Sequence, residues 1–444
     1  MKVRKLDFVI YIFIIASTIW LLTSFGIRQG EIEVYLSFVL VGIISFIEAV
    51  HTSSNINIKR TVNIFSYIFF FIAPWQQYTE NVSLWSGNGL SLKYDDSLYL
   101  KANLIIIVSL GLFNGVYNYC HKKDITMLEQ REEVVQYVVS KQSKFILTAI
   151  STISFLILGV TGNLMGNGLT IGDSSINSQL WNMIRFFPVC AIVLYAMAYG
   201  DMRHMMKYKS FDFILIIFLI IYFPFWGNMA RFLLLGTYVV ILALLFKNNK
   251  NKSLYFLLFY VGFIVGFSSI RRATSISALM NVSINFCHVD FDAHQILMTL
   301  IKYTDEQGMV FGKNIISALA FIIPRSIWSG KMLNSGGIAA SYYGSWFTNV
   351  SSPFFGELYF SLKWLGVVVG SIVLAFVALK IDSWDESLNL MKRGTFCIAV
   401  GMTIYICRGS LIASMAFTLG LILALFIISK VAKVEKIEKD EENI

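Results

Sequence analysis

Twelve long apolar stretches constrain the fold of this chain more than any other feature of its sequence. Each is a continuous run, and runs of this kind cross a bilayer as helices. Only helices and closed barrels satisfy all backbone polar groups in lipid, and barrel strands would show alternating hydrophobicity instead. The sequence therefore predicts an all-α polytopic membrane protein with about twelve transmembrane helices. The predicted spans are residues 6–25, 32–50, 62–78, 97–119, 145–162, 181–199, 211–226, 229–246, 254–270, 364–380, 395–407 and 410–429.

The composition excludes a soluble protein. Of the 444 residues, 56% are hydrophobic and only 14% are charged, whereas soluble domains carry about 25% charged residues. The net charge of +9 would also suit a nucleic-acid-binding protein, but most of the basic residues gather in connections on one side of the predicted membrane. Lys and Arg are enriched in cytoplasmic connections. We therefore expect both termini in the cytoplasm and no nucleic-acid partner.

This topology divides the chain into four parts. They are a transmembrane bundle of about nine spans over residues 1–270, a large extracytoplasmic loop over 271–363, the last three spans over 364–429, and a cytoplasmic tail over 430–444. External loops are usually poor in Lys and Arg, yet this one retains several basic residues. Cations kept against the trend indicate an anionic ligand at the outer membrane face. They are Arg271, Arg272, Lys302, Lys313, Arg325 and Lys331.

The large loop is predicted to contain structure of its own. Residues 292–295 have the pattern of a capping box that opens a helix, followed by apolar residues on one helical face. Residues 314–328 are apolar but too short to span, which predicts a short interfacial or re-entrant helix. Residues 329–352 are rich in Gly, Ser and Tyr, and we expect them to form a flexible lid.

Four arginines near the outer face form the first candidate site. Arg231 lies near the outer end of the eighth span, Arg271 and Arg272 follow the ninth, and Arg325 follows Pro324 in the interfacial segment. Guanidinium groups bind phosphates in a bidentate manner and stay charged when partly desolvated. A charge near membrane depth is costly, which favours a functional role. The alternative is that each arginine extends to lipid headgroups.

Candidates for acid–base chemistry are His288, His294 and Glu357. The two histidines flank two aspartates within seven residues, but no further His or Cys pair completes a zinc site, so we expect no metal. At the start of a helix, the positive dipole end would favour a neutral His294. Glu357 stands alone among apolar residues, which suits proton transfer or an ion pair with an arginine. The alternative is that both histidines are solvent-exposed loop residues without a role in catalysis.

These residues carry a family resemblance. The run over residues 321–331, which contains Arg325 and Trp328, the later element over 355–359, and the outer Arg231 resemble the oligosaccharide repeat-unit polymerases of bacterial surface polysaccharides (Wzy, O-antigen polymerase). The motif similarity covers Arg231 and residues 271–370, and the architecture is similar over nearly the full length. Two elements depart from the family pattern: Lys331-Met332 replaces Lys-Pro, and Ser361-Leu362-Lys363 replaces Asn-Phe-Gly.

The resemblance implies a reaction at the outer face of the bacterial cytoplasmic (inner) membrane. The donor would be an undecaprenyl-pyrophosphate-linked oligosaccharide, transferred to the sugar hydroxyl of a second lipid-linked repeat unit. Arg231, Arg271, Arg272 and Arg325 would stabilise the leaving pyrophosphate without a metal or other cofactor, and His294, His288 or Glu357 would act as the base. A chain-length regulator is an expected partner. Aromatic residues would contact the sugars, namely Trp328, Tyr342, Tyr343, Trp346 and Tyr359.

Three other functions remain open. An O-antigen ligase uses the same donor with a different acceptor, and it typically has a histidine-centred loop motif, for which His288 and His294 are candidates. A flippase for lipid-linked oligosaccharides would carry polar residues along mid-membrane helix faces and have small external loops. The large basic loop argues against a flippase. A purely structural membrane protein is the third alternative.

Overall fold

The computed structural model describes residues 5–28, 31–51, 56–125, 136–164, 174–199, 205–223, 231–245, four short pieces between 258 and 266, and residues 284–385, 387, 389–432 and 434–437. Helices dominate these parts, and two short strands, β1 (Gln136–Val139) and β2 (Val434–Ile437), pair antiparallel. The helices are α1 (Lys5–Phe25), α2 (Ile32–His51), α3 (Ile58–Tyr67), α4 (Ala73–Thr79), α5 (Asp96–Ile125), α6 (Lys141–Val160), α7 (Ser174–Tyr199), α8 (Lys209–Ile221), α9 (Arg231–Leu245), α10 (Ala293–Gln307), α11 (Lys313–Leu319), α12 (Ser335–Tyr342), α13 (Phe354–Asp382), α14 (Leu390–Arg408) and α15 (Leu411–Val431).

Seven helices among the described residues are long and apolar enough to cross a membrane: α2, α5, α6, α7, α13, α14 and α15. In helix α13, both the exposed side chains and the buried ones are apolar. Val369, Val373 and Phe376 are exposed, whereas Val367 and Ala375 are buried. A helix that is apolar on all sides suits lipid rather than water. The prediction of an all-helical membrane protein is therefore confirmed, while the count of twelve spans and the external loop stay predictions. The eleventh predicted span is longer than expected, since α14 has 19 residues.

The described chain forms two compact units. Unit 1 comprises Met1–Lys122, Leu257–Leu379 and Thr403–Met415, and unit 2 comprises Lys123–Phe256, Lys380–Met402 and Ala416–Ile444. In unit 1, α2 packs on α3, and α10 packs on α12; in unit 2, α6, α7 and α8 pack on one another. The predicted four-part division of the chain follows topology rather than packing, and it stays a prediction.

A π-helical turn, Ile68–Ile72, joins α3 to α4 without a break in the helical backbone. All five of its residues are buried, and Phe69 contacts Phe291 with ring centroids 5.3 Å apart. Such turns accommodate one extra residue in a helix. The predicted third span, residues 62–78, is therefore helical throughout, but its helix is not uniform.

Within the Gly- and Ser-rich stretch over residues 329–352, Ser335–Tyr342 forms a packed helix, α12. Helix α12 buries Ala339 and Ala340 in a hydrophobic cluster with Trp85, Leu90, Ile296, Leu300, Val350 and Phe360. Gly336 and Gly337 make this close packing possible, because a Cβ atom at Gly336 would lie 2.0 Å from the Ser351 carbonyl oxygen. The flexible lid stays a prediction; at residues 336 and 337 glycine provides close approach.

Helix α10 begins where the sequence predicts, but the predicted capping box is wrong. The Asp292 side chain makes no capping hydrogen bond; its carboxylate instead accepts from the Arg408 guanidinium at 2.8 Å. Gln295 donates to the Val82 carbonyl oxygen and accepts from the Leu84 amide. An ion pair adds the attraction of opposite charges to its hydrogen bonds. Asp292 therefore takes the distant partner over the local one.

Helix α13 has a break before its most apolar part. Leu362 and Lys363 leave helical geometry, and Lys363 has φ +50° and ψ −137°. The part after the break corresponds to the predicted tenth span, residues 364–380. A Cβ atom at Gly366 would lie 2.1 Å from the Leu358 carbonyl oxygen, so a glycine at 366 allows the two parts to approach each other.

Candidate functional site

Glu357 lies at the centre of a buried polar cluster in unit 1, and its side chain has no exposed surface. Oε1 accepts hydrogen bonds from the Ser352 hydroxyl at 2.9 Å, from the Leu411 amide at 3.1 Å and from the Ser335 hydroxyl; Oε2 accepts from the Asn314 amide at 2.7 Å. The carboxylate thereby joins α11, α12, α13 and the first residue of α15. No arginine pairs with Glu357 in the described part of the chain, so hydrogen bonds and a helix N-terminus stabilise its charge.

His294 is enclosed in an aromatic environment at the start of α10. Its ring stacks on Tyr99 with centroids 5.6 Å apart and meets Phe38 and Phe70 edge-on. Nε2 lies 2.8 Å from Asn103 Oδ1, whereas Nδ1 is buried without a hydrogen-bond partner. Burial lowers the pKa of His294 to about 3, so the imidazole is neutral at physiological pH. A substrate would not reach it without rearrangement of these rings.

His288 lies in a partly exposed group of polar residues just before α10. Its Nδ1 accepts from the Asp290 amide at 3.3 Å and lies 3.6 Å from Asp290 Oδ2. Arg408, at the end of α14, donates to the carbonyl oxygens of Val289 and Asp290 at 3.0 and 3.1 Å. The side chains of His288 and Arg408 are 10% and 15% exposed. Of the three candidate bases, only His288 has an exposed surface.

Hydrogen bonds of Asp292 connect the group around His288 to the rest of unit 1. The Asp292 carboxylate accepts hydrogen bonds from Arg408, from Trp85 Nε1 at 3.0 Å and from the Ser351 amide at 3.3 Å. From α4, Gln77 Nε2 donates to the carbonyl oxygens of Phe286 and Phe291 at 2.9 and 3.0 Å. The segment that carries His288 is therefore fixed on both sides, which gives a rigid base for a site.

The four predicted arginines fall in different places. Arg325 is exposed, and it donates to the Met332 carbonyl oxygen at 2.9 Å. Arg231 is the first residue of α9, with a side chain outside the described residues, and Arg271 and Arg272 lie outside them entirely. Their convergence on one anion therefore stays a prediction. Next to Arg325, partial burial and the neighbouring guanidinium lower the pKa of Lys331.

Two of the five predicted sugar-contacting residues are well exposed: Trp346 at 72% and Tyr342 at 48%. The Tyr342 hydroxyl accepts from Gln307 at 2.7 Å, and the Tyr343 hydroxyl donates to Glu306 at 2.9 Å. Exposed aromatic rings beside carboxylate and amide groups form a surface suited to sugar faces and hydroxyls. Trp328 is partly buried, and Tyr359 is buried with its hydroxyl donating to Asp305.

Sequence reasoning missed two arginines, the partly buried Arg408 and the buried Arg185. Arg408 could have been found, because it follows an apolar run at a connection predicted to be external. Arg185 lies inside the candidate span Trp181–Tyr199 of unit 2, is 7% exposed, and donates to the Asn163 carbonyl oxygen and to Asn182. No carboxylate pairs with Arg185 in the described residues. An arginine within a span is a functional candidate, and this one also satisfies a carbonyl near the end of α6.

Comparisons of the chain with protein-family models, curated proteins and solved structures gave no match. Across the described ranges, no group of three His, Cys, Asp or Glu side chains is placed to hold a metal ion. The interpretation of the site therefore depends on its own chemistry and on the motif resemblance.

Proposed function

We propose that the protein is a polymerase that joins polyprenyl-pyrophosphate-linked oligosaccharide repeat units at the outer face of the bacterial cytoplasmic membrane. In this proposal the chain has about twelve spans, and both termini are cytoplasmic. One observation carries the proposal. Between Glu306 and Glu357 the chain has no acidic residue but three cations, Lys313, Arg325 and Lys331, while the nearby carboxylates Asp292, Asp305 and Glu357 are occupied by internal bonds.

The charged side chains of residues 307–356 are therefore all basic, and the same stretch of chain carries the exposed aromatic side chains Tyr342 and Trp346. That combination suits a ligand with both a phosphate group and sugars. In the proposed reaction, the acceptor hydroxyl oxygen bonds to the anomeric carbon of the donor, and the bond from that carbon to the pyrophosphate oxygen breaks. Arg325, with Arg231, Arg271 and Arg272, stabilises the negative charge on the leaving polyprenyl pyrophosphate.

His288 is the proposed base for the acceptor hydroxyl, because it combines an imidazole with an exposed surface and a neighbouring carboxylate. The proton moves from the hydroxyl to an imidazole nitrogen as the new glycosidic bond forms. Glu357 and His294 are proposed as positioning residues instead. Glu357 connects the segments that carry Arg325 and Ser335, and His294 connects α10 to Asn103 of α5.

Buried polar side chains where α3 packs against α2 and α5 in unit 1 favour a flippase as the second candidate function. Lys59 on α3 is buried and lies 2.6 Å from Glu48 on α2. Further along α3, Asn63 and Asn114 exchange side-chain hydrogen bonds at 2.8 and 3.0 Å. Polar faces of this kind can line a path for polar cargo, but these side chains are packed against one another, which also suits helix–helix association. A ligase shares the outer site and differs in its acceptor.

Deletion of the gene, followed by gel analysis of surface polysaccharide, separates these functions. A polymerase deletion leaves single attached repeats, whereas loss of all attached repeats indicates a ligase or a flippase. Complementation of the deletion with Arg325→Ala should still leave mainly single repeats, whereas the unaltered gene restores long chains, because one phosphate contact is lost in the variant. Lys302→Ala is the matched control: this exposed cation lies on the same loop but pairs with Glu306, and long chains should persist. Full-length polymer from an inserted, folded Arg325→Ala protein would refute the role of Arg325.

A further inference from the structure

An exposed apolar surface extends over residues 311–333 of unit 1, outside every candidate span. Seven large side chains of this segment are between 40% and 78% exposed: Phe311, Ile316, Leu319, Ile322, Ile323, Ile327 and Leu333. The segment includes α11 and the turns that follow it. Single exposed apolar residues are ordinary, but seven within one short segment indicate an interaction surface.

The backbone of the segment is unusually well satisfied for a region of turns. The Lys331 ammonium donates to the carbonyl oxygens of Ala320, Phe321 and Ile323 at 3.0, 2.8 and 2.9 Å. These carbonyl groups follow the end of α11, where a helix leaves acceptors without partners. Unsatisfied carbonyl groups are costly in a medium without water. The lysine therefore makes this turn compatible with an apolar environment.

The contacts of the segment indicate its depth. The Val310 amide donates to the Phe360 carbonyl oxygen at 3.2 Å, and Asn314 binds Glu357. The segment thus lies beside the break in α13, immediately before the apolar part of that helix. Exposed apolar side chains of α13 begin there, at Trp364 and Leu365. If that part of α13 crosses the membrane, the exposed surface of 311–333 lies at the level of the lipid headgroups.

The basic residues of the segment indicate what covers its exposed apolar side chains. Its charged residues are Lys313, Arg325 and Lys331, without an acidic residue. A second protein surface covering seven apolar side chains would not need to be anionic, whereas a bilayer with acidic phospholipids offers both acyl chains and anionic headgroups. We infer that residues 311–333 lie in the outer-leaflet interface of the membrane, with Ile322 and Ile327 among the acyl chains. This inference does not depend on the proposed enzymatic activity.

The test is a depth measurement on the full-length protein in vesicles of phosphatidylglycerol and phosphatidylethanolamine. Nitroxide labels are placed on single cysteines at Ile322→Cys and Ile327→Cys after the five native cysteines are replaced, in a background shown to be folded. Collision with oxygen and with a water-soluble nickel chelate reports depth. Val369→Cys, exposed on the apolar part of α13, is the membrane control, and Asn349→Cys, exposed in the connection between α12 and α13, is the aqueous control.

We expect the labels at 322 and 327 to collide preferentially with oxygen, as the label at 369 does. Nickel accessibility equal to that at 349 would overturn the inference. Dipolar broadening between labels on different molecules, lost on dilution with unlabelled protein, would also overturn it, because a second copy would then cover the surface. Substitution of one surface isoleucine removes no buried contact, so these variants should fold.

Discussion

Replacement of Lys363 by glycine is expected to stabilise the protein. Lys363 has φ +50° and ψ −137° in the break of α13, a conformation that costs a residue with a side chain about 1–2 kcal/mol. Its ammonium makes no hydrogen bond or ion pair in the described part of the chain. Glycine adopts this conformation without strain but loses about 0.5–1 kcal/mol more chain entropy on folding. The expected net gain in the free energy of unfolding is therefore about 0.5–1 kcal/mol.

The assay is unfolding of the purified protein, by SDS titration in mixed micelles or by heating in mild detergent. A gain of this size corresponds to an increase of about 2 °C or less in the midpoint of a large protein. Lys363→Ala is the matched control, because alanine also removes the ammonium but retains the strained backbone. A glycine variant no more stable than the alanine variant would refute the argument. The polymerase family pattern has glycine at the corresponding place of its Asn-Phe-Gly element, so this result also bears on the resemblance.

Three further outcomes are expected from the same unfolding assay. Asp292→Asn should lose about 3 kcal/mol because it breaks the ion pair with the partly buried Arg408, whereas the exposed control Glu306→Gln should lose less than about 1 kcal/mol; equal losses would contradict this. Glu357→Gln should lose about 2 kcal/mol because an amide group would face donors; an unchanged midpoint would exclude the proposed hydrogen-bond centre. The folded-state pKa of His294 is about 3, below its usual 6.5, so the unfolded state binds the proton first. Stability should therefore decrease as pH falls below about 6.5, by up to about 1.4 kcal/mol per pH unit, and His294→Gln should reduce this slope; parallel pH profiles would contradict the assignment.

The sequence predicts the helices well because the spacing of apolar residues and the length of apolar runs are local properties of the chain. The start of α10 at Ala293 and the apolar part of α13 after Trp364 are found where the pattern indicates. What could not be predicted is the choice of partner. Asp292 has the right spacing for a helix cap, but it binds Arg408, which is 116 residues away. No local pattern contains that information, because the ion pair depends on how α14 packs.

The same limit applies to the candidate site. Glu357 was identified by its isolation among apolar residues, but its hydrogen-bond donors come from separate segments, which only the fold brings together. Burial of His294 depends on Asn103 and Tyr99, about 190 residues earlier. Glycine-rich composition predicts mobility or close packing equally well. For Gly336 the Ser351 carbonyl oxygen decides between the two.

The π turn at Ile68–Ile72 changes the direction in which the side chains of the following helix, α4, point. One extra residue rotates everything after it by about 100° relative to a regular α-helix. Lys59 before the turn and Gln77 after it are separated by about five turns of a regular α-helix, so without the π turn they would point to the same side. The extra residue separates their directions, and Lys59 pairs with Glu48 on α2 whereas Gln77 donates to the carbonyl oxygens of Phe286 and Phe291. Without that one-residue offset, the amide that holds Phe286 and Phe291 would point to the side of the helix that Lys59 uses.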